Sequence, residues 1–230
     1  MKSIYVIIPA YNEESAIANV IKDIPSNIGV KEIIVVNNAS TDGTAVVAKN
    51  NGATVVNQPI SGYGNACLKG IAYLKQLQTP PDIVVFLDGD YSDYPQEMEK
   101  IVQPILTDNV DMVIGSRNIG NRQRGAMTPQ QIFGNWLATN LIRLIYNYNF
   151  TDLGPFRAIK WGKLLELNMQ DKTYGWTCEM QVKAAKKNFI CKEIAVSYRK
   201  RIGYSKISGT IKGTILAGYK ILFSIFKNID

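Results

Sequence analysis

The chain has 230 residues, 46% of them hydrophobic, and a formal net charge of +7. This length allows one domain with a core large enough to fold without disulfides or structural metals. The absence of histidine excludes Ser-His-Asp triads, Cys-His pairs and His-ligated metals, and the three scattered cysteines argue against a disulfide framework or a zinc site.

In the first half of the chain, short apolar runs alternate with amphipathic helical patterns. Strands are predicted at residues 4–9, 33–37, 54–57, 83–88 and 112–116, and helices at residues 16–24, 44–49, 66–77 and from Pro95 onward. This alternation predicts an α/β fold with a Rossmann-like, open, mostly parallel sheet flanked by helices. Because the strands are continuously apolar, we expect helices on both faces and ligands at the carboxyl ends of the strands.

Two carboxylates, Asp88 and Asp90, follow an apolar run at one of those ends. Mg²⁺ and Mn²⁺ bind oxygen ligands and are commonly shared between one or two carboxylates and the phosphates of a substrate. The pair therefore predicts a site for a metal–nucleotide complex. Alone it is a weak signal, since Asp-Gly-Asp also forms solvated turns.

After Arg117 the pattern changes to a loop rich in Gly, Arg and Asn at residues 118–128, which we predict to be mobile and to cover the site. A long helix is predicted at about residues 130–148. Residues 152–200 are mixed, with strands predicted at residues 154–159 and 192–198 and a helix at about residues 177–187.

The C-terminal segment has an amphipathic helical pattern interrupted by Lys212, Lys220 and Lys227, so it cannot span a bilayer. Such a helix either lies on a membrane surface or packs on its own sheet or on a partner chain. The N-terminus lacks the features of a signal peptide. We therefore expect a cytoplasmic protein, either free or peripheral at the inner face of the cytoplasmic membrane.

Three motifs taken together resemble glycosyltransferase family 2: VIIPAYNEE at residues 6–14, VVNNASTDGT at residues 35–44 and LDGD at residues 87–90. The resemblance continues through residues 115–117, 152–157 and 201–206, and is strongest to the dolichyl-phosphate mannose or glucose synthase branch. It implies a GT-A type domain at residues 1–206, with a nucleotide-sugar-binding half (1–117) and an acceptor half (118–206). The amphipathic helical segment 207–230 would follow this domain.

The resemblance implies a nucleotide-sugar pocket, with UDP-sugar as the expected donor. Its lining would be Pro9, Ala10, Tyr11, Glu13, Asn38, Asp42, Gly64, Asp88 and Gly89. Asn37 and Asn38 stand where the family commonly has two aspartates, and an asparagine can still bond a base edge without adding charge. The acidic residues near Glu13 also suit the first turn of a helix, and both roles can hold.

The resemblance also assigns the chemistry. Asp90 would bind Mg²⁺ or Mn²⁺ directly, and Asp88 would contact the ribose, or the metal through water. Glu179 matches the segment in which inverting members place a carboxylate near the acceptor, so it would be the base for a hydroxyl acceptor. For a phosphate acceptor no strong base is needed, and Glu179 would then position groups or be a surface glutamate.

Phosphate groups of the donor or acceptor would be held by Arg117, Arg157, Arg201 and Lys206. Guanidinium groups suit this role because their planar forks bind phosphate through two hydrogen bonds. Exposed arginines in the loop at residues 118–128 are equally well explained as solvated charges.

The sequence thus predicts a metal-dependent inverting glycosyltransferase that moves a hexose from a nucleotide sugar to a polyprenyl phosphate or another cell-envelope acceptor. A soluble hydroxyl acceptor is a variant of this hypothesis. A sugar nucleotidyltransferase would have a Gly-rich basic loop after the first strand, which this chain lacks. A nucleic-acid-binding module has no recognised motif here, so no nucleic-acid partner is expected, and the sequence makes no prediction of oligomeric state.

Overall fold

A computed structural model describes residues 2–203 and 211–229 of the protein. Within these residues seven strands form one sheet in the order β3-β2-β1-β4-β6-β5-β7. The strands are β1 (Ile4–Ala10), β2 (Val30–Asn38), β3 (Thr54–Gln58), β4 (Ile83–Phe86), β5 (Met112–Ser116), β6 (Arg157–Lys160) and β7 (Cys191–Ala195). The helices are α1 (Ile17–Lys22), α2 (Thr44–Asn50), α3 (Tyr63–Leu74), α4 (Met98–Thr107), α5 (Pro129–Tyr146), α6 (Trp161–Leu167), α7 (Trp176–Lys186) and α8 (Ile211–Lys227).

The sheet is mostly parallel, as predicted. Strand β6 runs antiparallel to both of its neighbours, β4 and β5, and all the other pairs are parallel. The strand predicted at residues 154–159 begins only at Arg157, after Pro155, which has no N–H to donate to a neighbouring strand. The strand predicted at residues 192–198 already ends at Ala195.

Both faces of the sheet are covered, which confirms the expectation from the continuously apolar strands. One apolar cluster joins the sheet to α3 and to α5, α6, α7 and α8, and the other joins it to α1, α2 and α4. The carboxyl ends of the parallel strands β1, β2 and β4 therefore meet at one edge of the sheet between these layers.

Helix α5 begins where the predicted loop ends. Thr128 accepts a hydrogen bond from the backbone N–H of Gln131, and the Gln131 side chain accepts one from the backbone N–H of Thr128. This reciprocal capping box satisfies two donors at the start of the helix. Asn147, in the left-handed region at φ 51°, ends it one residue after Tyr146.

Helix α8 packs against α5 and α7, and its residue Ile225 is completely buried in the core. The Tyr146 hydroxyl donates a hydrogen bond to the backbone carbonyl of Ile225 at 2.5 Å. In the described ranges, no helix combines the length and apolar character needed to cross a bilayer. The first residues of the predicted C-terminal segment lie outside the described residues, and the division into a domain and a tail stays a prediction.

Candidate active site

In the part of the chain that the structure describes, two cavities meet at the carboxyl edge of the sheet. The smaller, of about 210 Å³, lies between the ends of β1, β2 and β4, and the larger, of about 510 Å³, lies between the sheet and helices α5 and α8. Five residues are shared between the linings of the two cavities: Tyr63, Asp88, Asp90, Tyr174 and Arg201. The predicted carboxylate pair thus stands at the junction of the two cavities.

The two carboxylates have different surroundings. Asp88 is partly buried and lines both cavities, and one of its oxygens accepts a hydrogen bond of 3.0 Å from the Tyr63 hydroxyl. Burial, followed by the negative charge of Asp90, raises its pKa to about 7. Asp90 is 7% exposed, and its Oδ1 accepts hydrogen bonds from the backbone N–H and the hydroxyl of Ser92 at 2.9 and 2.5 Å.

These residues fit a hard divalent cation. Burial and the neighbouring charge of Asp90 raise the pKa of Asp88, and a bound cation would oppose both effects. Among residues 2–203 and 211–229 no three His, Cys, Asp or Glu side chains are grouped for a metal. Two carboxylates with substrate phosphates completing the shell are the common arrangement for Mg²⁺.

Arg201 bridges the carboxylates of the two motifs. One guanidinium nitrogen lies 2.7 Å from Glu13 Oε1, and the other lies 3.2 Å from Asp90 Oδ2. The backbone of the same segment is also attached, because the N–H of Ile202 donates to the carbonyl of Asp90 at 3.0 Å. Arg201 is therefore far from Asp90 in the sequence but lies beside it in the structure.

The segment that carries Arg201 is anchored by Arg199. Its guanidinium lies 3.4 Å from the ring centre of Tyr91 and 4.1 Å from that of Tyr94, and it donates to the backbone carbonyls of Tyr91 and Asp93 at 2.7 and 3.2 Å. Tyr91 has a φ of 62°, a strained conformation for an aromatic residue that this packing holds in place. The loop after Asp90 and the segment that carries Arg199 and Arg201 are therefore packed against each other.

The smaller cavity gathers most of the residues predicted to hold the nucleoside. Pro9, Ala10, Tyr11 and Glu13 line it from the end of β1, Asn38 from the end of β2, and Gly89 from the loop after β4. The ring of Tyr11 is 41% exposed, which leaves a face available for stacking.

Two residues predicted for this pocket have structural contacts instead. The Asp42 carboxylate accepts hydrogen bonds from the backbone N–H and hydroxyl of Thr44 and from the backbone N–H of Glu14, and these bonds outweigh burial and lower its pKa. A Cβ on Gly64 would lie 2.0 Å from the carbonyl oxygen of Asp171. Gly64 thus permits the close approach of residues 171–173, and neither residue is among those lining the described cavities.

Arg117 and Arg157 are both buried, but only Arg117 lines one of the described cavities. Arg117 lines the larger cavity and forms a two-pronged pair with Asp152 at 2.8 and 2.7 Å, whose charge outweighs burial and raises the arginine pKa. Arg157 donates instead to the backbone carbonyls of Leu153, Gly154 and Thr177, and burial lowers its pKa to about 10. It lines neither of the described cavities, which gives its predicted phosphate role no geometric support.

Glu179 also differs from the expectation. Its carboxylate accepts hydrogen bonds from the backbone N–H groups of Gln170 and Asp171 and pairs with Lys183 at 2.7 Å. It is 5% exposed and is absent from the residues that line the described cavities. In this structure the Glu179 carboxylate anchors the loop before α7, and its predicted role as a base stays a prediction. The remaining predicted residue, Lys206, lies outside the described residues.

Several lining residues, Tyr63 and Tyr174 among them, escaped the sequence analysis, and so did the buried carboxylate of Asp93. Tyr63 and Tyr174 line both cavities, and Tyr63 donates to Asp88. Asp93 is 2% exposed, and within the described residues neither of its carboxylate oxygens has a hydrogen-bond partner. Burial, followed by the charges of Asp88 and Asp90, raises its pKa. The position of Tyr63 between two glycines is the available sequence signal, whereas no sequence signal points to Tyr174 or to Asp93, which lines neither of the described cavities.

The larger cavity has both charged and apolar lining residues. Its described charged residues are Arg117, Arg201, Asp88 and Asp90, and its apolar lining includes the α5 and α8 residues Phe133, Leu137, Ala138, Ile221 and Leu222. A ligand with a charged head and a hydrocarbon body matches this mixed lining.

Comparison with known proteins gives a consistent result. The family model described as "Glycosyl transferase family 2" matches residues 5–164. UDP-N-acetylglucosamine–dolichyl-phosphate N-acetylglucosaminyltransferase of Methanococcus voltae is 29% identical, over 97% of this chain and 95% of that protein. Undecaprenyl-phosphate mannosyltransferase of Micrococcus luteus is 26% identical, over 90% of this chain and 88% of that protein.

Solved structures share the fold. The crystal structure of glucosyl-3-phosphoglycerate synthase from Mycobacterium tuberculosis, in complex with Mn²⁺, uridine diphosphate and phosphoglyceric acid, aligns with a TM-score of 0.78 at 21% identity. The alignment covers 99% of this chain and 78% of that one. At this identity the likeness shows the fold and confirms the predicted GT-A type architecture.

Proposed function

Because the chain belongs to glycosyltransferase family 2 and is an enzyme of that family, we propose that it is a metal-dependent inverting glycosyltransferase. It would transfer a hexose from a nucleotide sugar, with UDP-sugar as the expected donor, to a polyprenyl phosphate. One observation carries the proposal. Asp88 and Asp90 line both cavities, the smaller one at the ends of β1, β2 and β4 and the larger one between the sheet and helices α5 and α8. Donor and acceptor would then meet at the carboxylates.

The donor end is built from the ends of β1, β2 and β4. Tyr11 and Pro9 would form a platform for the base, and the Glu13 carboxylate lies where it can accept hydrogen bonds from the nucleoside. Asp90 and Asp88 would hold Mg²⁺ or Mn²⁺, which when bound would neutralise charge on the departing nucleoside diphosphate. Arg201, now paired with Glu13 and Asp90, would turn to a phosphate once those carboxylates have other partners.

The lining of the larger cavity favours a phosphate acceptor over a hydroxyl. The carboxylates on the described walls of the two cavities are Glu13, Asp88 and Asp90, and Glu179 is engaged elsewhere. A hydroxyl acceptor needs a base to remove its proton, whereas an ionised phosphate does not. Arg117 and Arg201 would bind this phosphate, and the apolar wall of α5 and α8 would hold the hydrocarbon. A soluble acceptor remains the competing variant.

The same helices supply a surface for peripheral contact with the cytoplasmic membrane. Phe133 and Trp136 on α5 are 61% and 58% exposed, and Tyr219 and Phe223 on α8 are 61% and 43% exposed. We call these four side chains the aromatic face. Lys220 and Lys227 lie within 6 Å of the Phe223 ring, at 5.7 and 5.8 Å. Exposed aromatic rings beside lysines suit the head-group region of an anionic bilayer.

The donor assignment is tested by thermal stabilisation with UDP, GDP, dTDP and ADP, each with and without Mn²⁺. The unmodified protein should gain stability with at least one nucleotide only when Mn²⁺ is present, because a ligand that binds the folded state alone stabilises it. Asp90→Asn should lose this gain, and Asp108→Asn, a change at an exposed carboxylate beyond α4, should keep it. Absence of stabilisation by all four nucleotides would overturn the proposal.

The acceptor assignment is tested with UDP-sugars and two acceptors of equal chain length, a polyprenyl phosphate and the corresponding polyprenol. Glycosylation of the phosphate alone is expected. Equal or preferred glycosylation of the polyprenol, or of a water-soluble hydroxyl acceptor, would instead support the competing variant.

A further inference from the structure

Tyr63, in the first turn of α3, is held in place through its backbone neighbours. Gly62 has a φ of 139° and lies so close to the loop at residues 171–173 that a Cβ would be 2.3 Å from a backbone carbonyl oxygen of that loop. The backbone N–H groups of Gly64 and Asn65 donate to two carbonyls of the same loop, at 3.1 and 2.9 Å. Because the first N–H groups of a helix have no partner within the helix, these bonds fasten the start of α3 to the loop.

The loop at residues 171–173 is itself anchored. The Glu179 carboxylate accepts a hydrogen bond of 2.8 Å from the backbone N–H of Asp171. The Asp171 carboxylate in turn accepts from the backbone N–H groups of Thr173 and Gly175, at 2.7 and 3.1 Å. The start of α3 therefore rests on a backbone with little room to shift.

The Tyr63 side chain extends from this fixed start to Asp88. Its hydroxyl donates to one oxygen of the Asp88 carboxylate at 3.0 Å, and in the described part of the chain no other side chain donates to Asp88. Asp90, by contrast, accepts two hydrogen bonds from Ser92. A tyrosine hydroxyl has one hydrogen at the end of a rigid ring, so this bond fixes how the planar carboxylate of Asp88 is turned.

We infer that Tyr63 is a positioning residue, which holds Asp88 in the orientation that the metal–nucleotide complex requires. The inference rests on the proposed function, because it takes Asp88 to belong to the donor site. Groups around a metal are themselves oriented by hydrogen bonds from neighbouring groups, and loss of such a partner commonly costs about 10- to 100-fold in metal affinity or activity. A carboxylate that is already held in place also loses less rotational freedom when the ligand binds.

The test measures, by calorimetry with Mn²⁺ present, the affinity for the nucleotide that gives the largest stabilisation in the screen above, UDP being expected. Tyr63→Phe keeps the ring and removes the hydroxyl, and it should weaken binding by about tenfold or more. Tyr73→Phe is the matched control. Tyr73 also lies on α3, and its hydroxyl donates to the Glu32 carboxylate at 2.7 Å, outside the described cavity linings. This control should bind the nucleotide as the unmodified protein does.

A double variant tests whether the hydroxyl acts through Asp88. Asp88→Ala keeps Asp90, so weaker binding in the presence of Mn²⁺ should remain measurable. Adding Tyr63→Phe to Asp88→Ala should change the affinity by less than about twofold, because a positioning residue has no effect once the group that it positions is gone.

Two results would overturn the inference and leave the proposed function standing. One is unchanged affinity in Tyr63→Phe, which would make the hydroxyl a structural feature of α3 only. The other is a further loss of about tenfold in the double variant, which would show that the Tyr63 hydroxyl contacts the ligand directly. Failure of the unmodified protein to bind any of the nucleotides with Mn²⁺ would instead overturn the proposed function.

Discussion

At the residue scale, the carboxylates of the site differ in what surrounds them. Asp42 accepts several hydrogen bonds and has a lowered pKa, while Asp88 receives one from Tyr63 and stands in a buried site beside Asp90. The same side chain is therefore stabilised as an anion at one position and destabilised at the other. Stability measured against pH separates the two.

Replacing Asp88 by asparagine should make the metal-free protein more stable at high pH. The folded protein keeps a proton on Asp88 up to about pH 7, whereas the unfolded chain releases it near 3.8. Between these values the folded state binds more protons, so the free energy of unfolding falls as pH rises. Asp88→Asn removes that loss, and we expect a gain of about 1–3 kcal/mol at pH 8 and little change at pH 4, measured by denaturant unfolding without divalent cations.

Asp42→Asn is the matched control with the opposite sign. The lowered pKa of Asp42 contributes stability above its unfolded value, which is lost as pH falls. This variant should therefore be less stable than the unmodified protein at pH 8, with the difference shrinking towards pH 3. A stability gain in Asp88→Asn that is independent of pH would contradict the burial argument for Asp88.

At the scale of elements, the site is assembled from loops that are attached to each other rather than to the sheet alone. Arg199 holds the segment that carries Arg201 against the loop that follows Asp90. Glu179, near the start of α7, accepts hydrogen bonds from the backbone of residues 170 and 171. Both contacts join segments far apart in sequence. Periodicity could predict the helices and strands, but it carries no information on which loops meet.

Replacing Glu179 by glutamine distinguishes an anchoring role from a role as base. The change keeps one acceptor for the N–H groups of Gln170 and Asp171 and removes the pairing charge for Lys183. We expect the free energy of unfolding to fall by about 1–2 kcal/mol, with kcat within about fivefold of the unmodified enzyme. Loss of a general base would instead lower kcat by about 10²- to 10⁴-fold. That larger loss, with unchanged stability, would restore Glu179 as the base.

At the scale of the whole molecule, the positions of the two cavities and of the aromatic face bear on how an acceptor would reach the site. The smaller cavity lies at the strand ends, the larger cavity lies between the sheet and helices α5 and α8, and these two helices also expose the aromatic face. A hydrocarbon acceptor embedded in a bilayer would then approach from the side where the protein contacts the lipid.

Vesicle binding tests this arrangement. The protein should sediment with vesicles containing anionic lipid, and much less with neutral vesicles or at 0.5 M salt, because screening weakens the contribution of the lysines. The double variant Trp136→Ser, Phe223→Ser should bind at least about fivefold more weakly, since it removes apolar area from the contact. Val46→Ser, at a 63% exposed position on α2, is the control and should bind normally. Undiminished binding by the double variant would exclude the aromatic face as the contact.

The sequence alone determined the fold class and the residues at the strand ends. Apolar runs alternating with amphipathic ones report burial directly, so β1, β2, β3 and β5 were predicted close to their observed positions. Parallel strands bring their carboxyl ends to one edge, which is why Pro9, Tyr11, Glu13, Asn38, Asp88 and Asp90 were predicted to gather and do so around the smaller cavity.

Only the tertiary structure decided what each side chain faces. Periodicity assigns a residue to an element or a face, but a partner 188 residues away, as for Glu13 and Arg201, depends on how loops pack. For this reason the sequence did not show that Asp42, Gly64, Arg157 and Glu179 make anchoring contacts outside the described cavity linings, or that Tyr63 and Tyr174 line both cavities. The antiparallel insertion of β6 between β4 and β5 was likewise invisible in the sequence, because strand direction depends on the path of the connecting chain.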